Sequence, residues 1–225
     1  MKNRNDMKRD WVIFVMYVVG ASLAIPVVAE DPGVTRPDMS LCITCHGAEG
    51  EGNRLLNAPS LTNLEAWYVD RQLRNFRDGL RGADPSDEEG VLMRPMVQFL
   101  SDESIRDYAL TVSEYPDRIP DAVDAGDSSA DASADASKGK AYYSHQCGAC
   151  HGPGGKGIKS IGAPGLAGLD SWYLKKQLDK FQSGIRGSAK GDTHGGQMVY
   201  YMNRLKNKED LDDIIAYLRD PGSVD

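Results

Sequence analysis

A chain of 225 residues has room for one or two small domains. Its 26 Lys and Arg stand against 33 Asp and Glu, a net charge of −7, which argues against nucleic acid as a partner. The four cysteines all fall in two C-x-x-C-H groups, so none is left for a separate disulfide framework.

The chain starts with a polar stretch holding Lys2, Arg4, Lys8 and Arg9. An apolar run over residues 11–29 follows, with Pro26 near its end and small residues up to Ala29. A basic start, an apolar middle and a small-residue end predict a secretory signal at 1–29, cut after Ala29. The run is also just long enough to span a bilayer, so an uncleaved anchor is the other reading, and it would bring membrane association. Both readings put the remainder outside the cytoplasm, where a bare C-x-x-C would tend to oxidise.

The first C-x-x-C-H group is Cys42, Cys45 and His46. Helical spacing of Leu64, Trp67, Tyr68, Leu73 and Phe76 then predicts an amphipathic helix ending near Gly79. Ser101 is an expected N-cap, and Asp102 and Glu103 suit the positive end of the helix dipole. Ile105, Tyr108, Ala109 and Val112 form that helix's apolar stripe. Residues 117–137 are rich in Asp, Ala and Ser and poor in large apolar side chains, which predicts a flexible acidic linker.

Beyond it the pattern recurs. A helix is expected before Cys147, whereas Pro37 weakens its counterpart ahead of Cys42. Cys147, Cys150 and His151 form the second group. Under a shift of 105 residues, Trp172 and Tyr173 fall on Trp67 and Tyr68. Gln72, Leu73, Phe76, Gly79, Arg81 and Gly82 also recur, and Met198 falls on Met93. The register slips by one before the last helix, where Asn207 can cap and Leu211, Ile214, Ile215 and Leu218 form a stripe. No convincing strand pattern appears. The expected organisation is all-α, with two copies of one domain at 30–116 and 138–225. Units this small and this poor in large aliphatics have thin cores, which a bound prosthetic group would fill.

Three chemistries use C-x-x-C-H. Zinc wants four ligands, often from two C-x-x-C pairs 15–20 residues apart, but these pairs lie 105 apart in separate repeats. A thioredoxin-like dithiol wants a βαβ setting, which is absent. Haem attachment uses every residue type. Each of Cys42, Cys45, Cys147 and Cys150 forms one thioether, and His46 and His151 ligate iron, giving two covalently bound haem c groups. Met93 and Met198, each 47 residues after its histidine, are the candidates for the other axial position. Met96 and Met202, which do not match under the shift, stand in reserve and otherwise read as core filler. His145 and His194 read as exposed loop residues.

On these residues, together with "APSL" and "APGL" at 58–61 and 163–166, the sequence resembles the class I cytochromes c. Within them it is similar to the bacterial dihaem type built from two fused monohaem domains, the cytochrome c-four type. The resemblance implies His/Met ligation of low-spin haem c. It also implies that the carbonyls of Pro59 and Pro164 accept the Nδ1 protons of His46 and His151. Trp67, Tyr68, Trp172 and Tyr173 either pack near the haem edge and propionates or serve as helix packing.

An iron with two protein ligands has no open site, so the expected function is one-electron carriage in the periplasm. The expected partners are respiratory: a quinol-oxidising complex or dehydrogenase as donor, and a terminal oxidase or reductase as acceptor. A subunit role in a dihaem redox enzyme, peroxidase-like or thiosulfate-oxidising, is the alternative. Residues 30–116 carry 8 basic and 16 acidic side chains, whereas 138–225 carry 13 and 9. The contrast is sharpest between 83–90 and 188–195, and it predicts that the two domains dock on different partners or on each other.

Overall fold

The computed structural model describes residues 36–118, 133–205, 207–219 and 222. The signal or anchor segment and residues 119–132 of the linker lie outside them. Among the described residues there are nine α-helices, three 3₁₀ turns and no strand, only two isolated bridges, Asn53 with Ala58 and Ile158 with Ala163. No described helix is long and apolar enough to cross a membrane. Both repeats lie in one compact unit, residues 36–225.

The first repeat holds α1 (Ser40–His46), α2 (Ala66–Arg77), α3 (Glu88–Val97) and α4 (Asp102–Ser113). The α2 helix stops where expected, with Gly79 at a φ of 77° just beyond its C-cap Asp78. At α4 the Ser101 hydroxyl accepts the Ser104 N–H at 3.0 Å, and Asp102 and Glu103 occupy the first turn. α2 packs on α4, burying Val69, Ala109 and Val112 with Met39, Leu61, Leu64 and Leu73 beside them.

The second repeat holds α5 (Ala136–Gln146), α6 (Gly148–His151), α7 (Ser171–Gln182), α8 (Thr193–Met202) and α9 (Lys208–Arg219). Its core is far richer: Tyr143, Leu169, Leu174, Leu178, Phe181, Met202, Leu211, Ile214, Ile215, Tyr217 and Leu218 are all buried. α5 crosses α9 at Gly139, where any Cβ would lie 1.9 Å from the Asp213 carbonyl oxygen. The carboxylate of Asp135, near the end of the predicted linker, caps α5 by accepting the N–H groups of Ser137 and Lys138. At the linker's other end Arg118 pairs with buried Asp170, and the Arg118 N–H donates to Asn63.

Two features depart from the sequence expectation. Met93 and Met198 sit inside two helices, α3 and α8, for which the sequence pattern offered no helix. Gly90, Pro95, Gly195 and Gly196 conceal these helices, but Asp87 and Asp192 cap them by accepting the N–H groups of Gly90 and Gly195. The second feature is the buried face of α2 and α7, which includes two polar residues, Gln72 and Gln177. They are buried because the repeats face each other there. The Gln72 oxygen accepts from both Arg81 and Arg186, and so does the Gln177 oxygen. Arg81 also donates to the Tyr173 hydroxyl and Arg186 to the Tyr68 hydroxyl, so the 105-residue shift maps this network onto itself.

Candidate haem sites

Each C-x-x-C-H group is wound on a helical turn that ends at its histidine, α1 for the first and α6 for the second. None of the four cysteines is in a disulfide. Burial pushes the Cys147 thiol up to about 11, and burial also raises Cys42. A redox dithiol needs the opposite shift at its attacking thiol, and neither Cys42 nor Cys147 shows it.

His46 and His151 are both buried. Burial lowers the pKa of each ring, partly offset by the bond to a proline carbonyl, so both are neutral imidazoles near pH 7. His46 Nδ1 lies 2.8 Å from the Pro59 oxygen, and His151 Nδ1 lies 2.9 Å from that of Pro164. A carbonyl only accepts, so each Nδ1 carries the proton and each Nε2 keeps its lone pair for a metal.

Two glycines that the motif reading passed over make this bond. Gly52 and Gly157 have φ of 86° and 79°, and each donates its N–H to the carbonyl of the histidine at 2.7 Å. A Cβ on Gly52 would meet the Ser60 nitrogen at 2.6 Å, and one on Gly157 would meet the Gly165 nitrogen at 2.5 Å. Only glycine lets the chain turn back and lay the proline carbonyl against the ring. Both fall on each other under the same 105-residue shift, which was the available signal.

In the second repeat Cys147, Cys150, His151 and Met198 line one cavity of about 710 Å³. Its wall is apolar, with Leu169, Leu174, Leu178 and Phe181 among the lining residues. The volume falls within the roughly 300–1,000 Å³ of small-molecule and cofactor sites. In the first repeat His46 and Met93 line a cavity of about 110 Å³ that Cys42 and Cys45 do not reach. Met202 also lines the larger cavity and is buried as core filler, but Met96 is exposed and lines neither. Unpartnered buried donors further suit a guest that carries acceptor groups such as carboxylates. The Nε of Arg71 beside the large cavity, and the Nε of Arg81 and Nε1 of Trp172 beside the small one, lack a hydrogen-bond partner among the described residues. Trp172 thus lines the cavity of the opposite repeat, with the Arg54 guanidinium 4.7 Å above its ring. His145 is exposed on α5, and His194, also exposed, lies at the rim of the large cavity in the first turn of α8.

The acidic segment of the first repeat meets the second. Lys180 on α7 donates to Asp87 at 2.5 Å and to Glu89 at 2.6 Å, and Lys176 donates to Glu89 at 2.5 Å. Burial raises the Glu89 carboxyl, but the bonds from Lys176 and Lys180 outweigh it and hold the group at about 2. Docking of the two repeats on each other is therefore one use of the charge contrast seen in the sequence.

The cytochrome c family matches residues 38–110 and 136–220. A thiosulfate dehydrogenase electron acceptor from Stutzerimonas stutzeri is 29% identical over 84% of this chain and 83% of its own length. Cytochrome c4 of Pseudomonas aeruginosa is 28% identical over 85% of this chain and 89% of its own. The crystal structure of reduced recombinant cytochrome c4 from Pseudomonas stutzeri superposes with a TM-score of 0.61 at 26% identity, covering 80% of this chain and 93% of that one.

Proposed function

The chain belongs to the cytochrome c family as a dihaem class I electron carrier, and from that premise we propose that it moves single electrons in the periplasm between respiratory redox proteins. In this reading Cys42, Cys45, Cys147 and Cys150 tether the two haem c groups, and the axial pairs are His46 with Met93 and His151 with Met198. Bound in this way, haem iron supplies reversible one-electron chemistry without an open coordination position. The carbonyls of Pro59 and Pro164 hold the proximal rings in one tautomer and orientation. A thioether sulfur as the second ligand raises the potential above that of a bis-histidine site, which suits a carrier on an oxidase or reductase route. The Arg81, Arg186, Gln72 and Gln177 network fixes the two cavities side by side, because Tyr68, Tyr173, Gln72 and Gln177 line both.

The observation that carries the axial reading is the sharing of one cavity by Met198, His151 and both cysteines, repeated for Met93 and His46. The test is the weak long-wavelength charge-transfer band of sulfur-ligated ferric haem. It should drop to about half in Met93→His or Met198→His and vanish in the double variant. Full strength in both single variants would refute the assignment.

The donor is read as a quinol-oxidising complex or a dehydrogenase, and the acceptor as a terminal oxidase or reductase. Likeness to a thiosulfate dehydrogenase electron acceptor over most of the chain favours a second reading, in which an enzyme subunit is the immediate donor. Stopped-flow reduction separates the two: rapid reduction by thiosulfate with its dehydrogenase, but not by a quinol-oxidising complex, supports the second. The apolar N-terminal segment supports export, and sequencing the N-terminus of the mature protein distinguishes a cleaved signal from an anchor.

A further inference from the structure

The interface of the two repeats obeys the 105-residue shift at its centre and breaks it at one edge. Arg81, Gln72 and Tyr68 have their equals in Arg186, Gln177 and Tyr173. The capping residues Asp87 and Asp192 are also equals, and each accepts the N–H three residues on. Their surroundings differ. Lys180 corresponds to Asn75, Lys176 to Arg71 and Glu89 to His194. Consequently, among the described residues, α3 is held by ion pairs from the other repeat and α8 is not. Lys180 Nζ bonds Asp87 Oδ1, the same oxygen that caps α3, and also Glu89 in the first turn, while Lys176 holds the other Glu89 oxygen. On the mirror side Arg71 reaches past α8 to the Gly162 carbonyl at 2.7 Å. Asp192 lies in the field of Arg71 and Arg186 but has no direct ion pair with either among the described residues.

The helices themselves differ in what they require. Pro95, two residues beyond Met93, removes the N–H that would bond the Val91 carbonyl, so the last turn of α3 lacks a backbone bond. Its counterpart in α8 is Tyr200, which keeps its N–H. A helix weakened at its C-terminal end depends more on its N-terminal anchor. That anchor is buried, with side-chain exposures of 10% for Lys180 and 3% for Asp87, so water neither screens nor replaces the pair readily. The support is stiff, because α7 buries Leu174, Leu178 and Phe181 in the large core.

We propose that Lys180, seconded by Lys176, is a positioning residue for the axial methionine of the other repeat. It clamps the capped end of α3 and thereby keeps Met93 on its iron, whereas Met198 carries no equivalent clamp. The inference rests on the reading of Met93 and Met198 as axial ligands. Coupling therefore runs one way, from the second repeat to the ligation of the first.

The experiment uses the full-length oxidised holoprotein in two backgrounds. With Met198→His the sulfur charge-transfer band reports Met93 alone; with Met93→His it reports Met198 alone. Imidazole is titrated against the band as a competitor for the methionine position. Adding Lys180→Met should lower the half-displacing imidazole concentration about tenfold in the first background and leave it unchanged in the second. Lys180→Arg, which keeps the charge, should restore most of the parent value. If Lys180→Met does not accumulate, Glu89→Gln weakens the grip of Lys176 and Lys180 on the first turn of α3 while leaving Lys180 on Asp87, and should act in the same direction with a smaller shift. No change in the first background, or equal changes in both, overturns the clamp. A band absent from the Met198→His background would instead refute Met93 as a ligand and remove the clamp with it.

Discussion

The two repeats share a plan and differ in self-sufficiency. The second closes α5 over α9, packs Tyr143 at a tilt against Tyr217 with ring centroids 5.4 Å apart, and surrounds a cavity of about 710 Å³ with buried aliphatics. The first has no helix between residue 36 and Ser40, where Pro37 stands, and its buried apolar side chains are fewer, chiefly Val69, Phe76, Val97, Ile105, Ala109 and Val112. It compensates through the interface: Trp172, Lys176 and Lys180 of the second repeat help line its smaller cavity. A duplicated domain with a strong twin can lose packing of its own when the twin supplies replacement contacts.

Core truncation offers the largest test of that contrast. Leu218 is 1% exposed at the centre of the richer core. Leu218→Ala should cost about 2–5 kcal/mol, read as a shift in the denaturant midpoint. Its counterpart one register step on, Val112→Ala, removes two methyl groups and should cost about 1.5 kcal/mol by transfer. Equal costs per carbon removed would mean that the first core is as tight as the second.

Acid is the next lever. The Glu89 carboxyl has an ordinary value of 4.5 and is held at about 2 in the folded protein, facing Lys176 and Lys180 on α7 and standing two residues from Asp87 on its own helix. A depressed folded value contributes stability that is complete above about 4.5 and is lost as pH falls toward 2. Between those limits the Met93 band, read in the Met198→His background, should fade at a higher pH than the Met198 band, read in the Met93→His background, and Glu89→Gln should flatten this dependence. Loss of both bands at the same pH in the two backgrounds would place the acid-sensitive group elsewhere.

Much of this architecture was legible in the sequence because the repeat doubles every signal. The C-x-x-C-H groups, the stripes of α2, α4, α7 and α9, the Ser101 cap and the paired methionines all follow from residue type and spacing. The α3 and α8 helices did not show, since Gly90, Pro95, Gly195 and Gly196 lower local helix propensity and only the caps and tertiary contacts restore it. Gln72 and Gln177 were visible as matched positions, but nothing local marks a glutamine that becomes buried by bonding across an interface. Gly52 and Gly157 carry a requirement set by a backbone approach from residues further along the chain. The pairing of Glu89 with α7 depends on how the repeats face each other, which no periodicity within one repeat encodes.

The smallest effect expected is at the entrance to the first repeat, and its smallness is informative. Arg36 bonds Glu114 at 3.1 Å, with side chains 66% and 58% exposed, tying the segment ahead of α1 to the end of α4. This contact occupies the stretch where α5 packs on α9 in the second repeat. An exposed pair of long side chains gains little in water and is screened by salt, so Arg36→Gln should cost less than about 1 kcal/mol. The denaturant midpoint should shift barely at low ionic strength and not at all at high. A larger loss that persists at high salt would mean that the segment before α1 contributes packing as well as charge. The first repeat would then hold its N-terminal edge by itself, and its dependence on the second would be confined to α3.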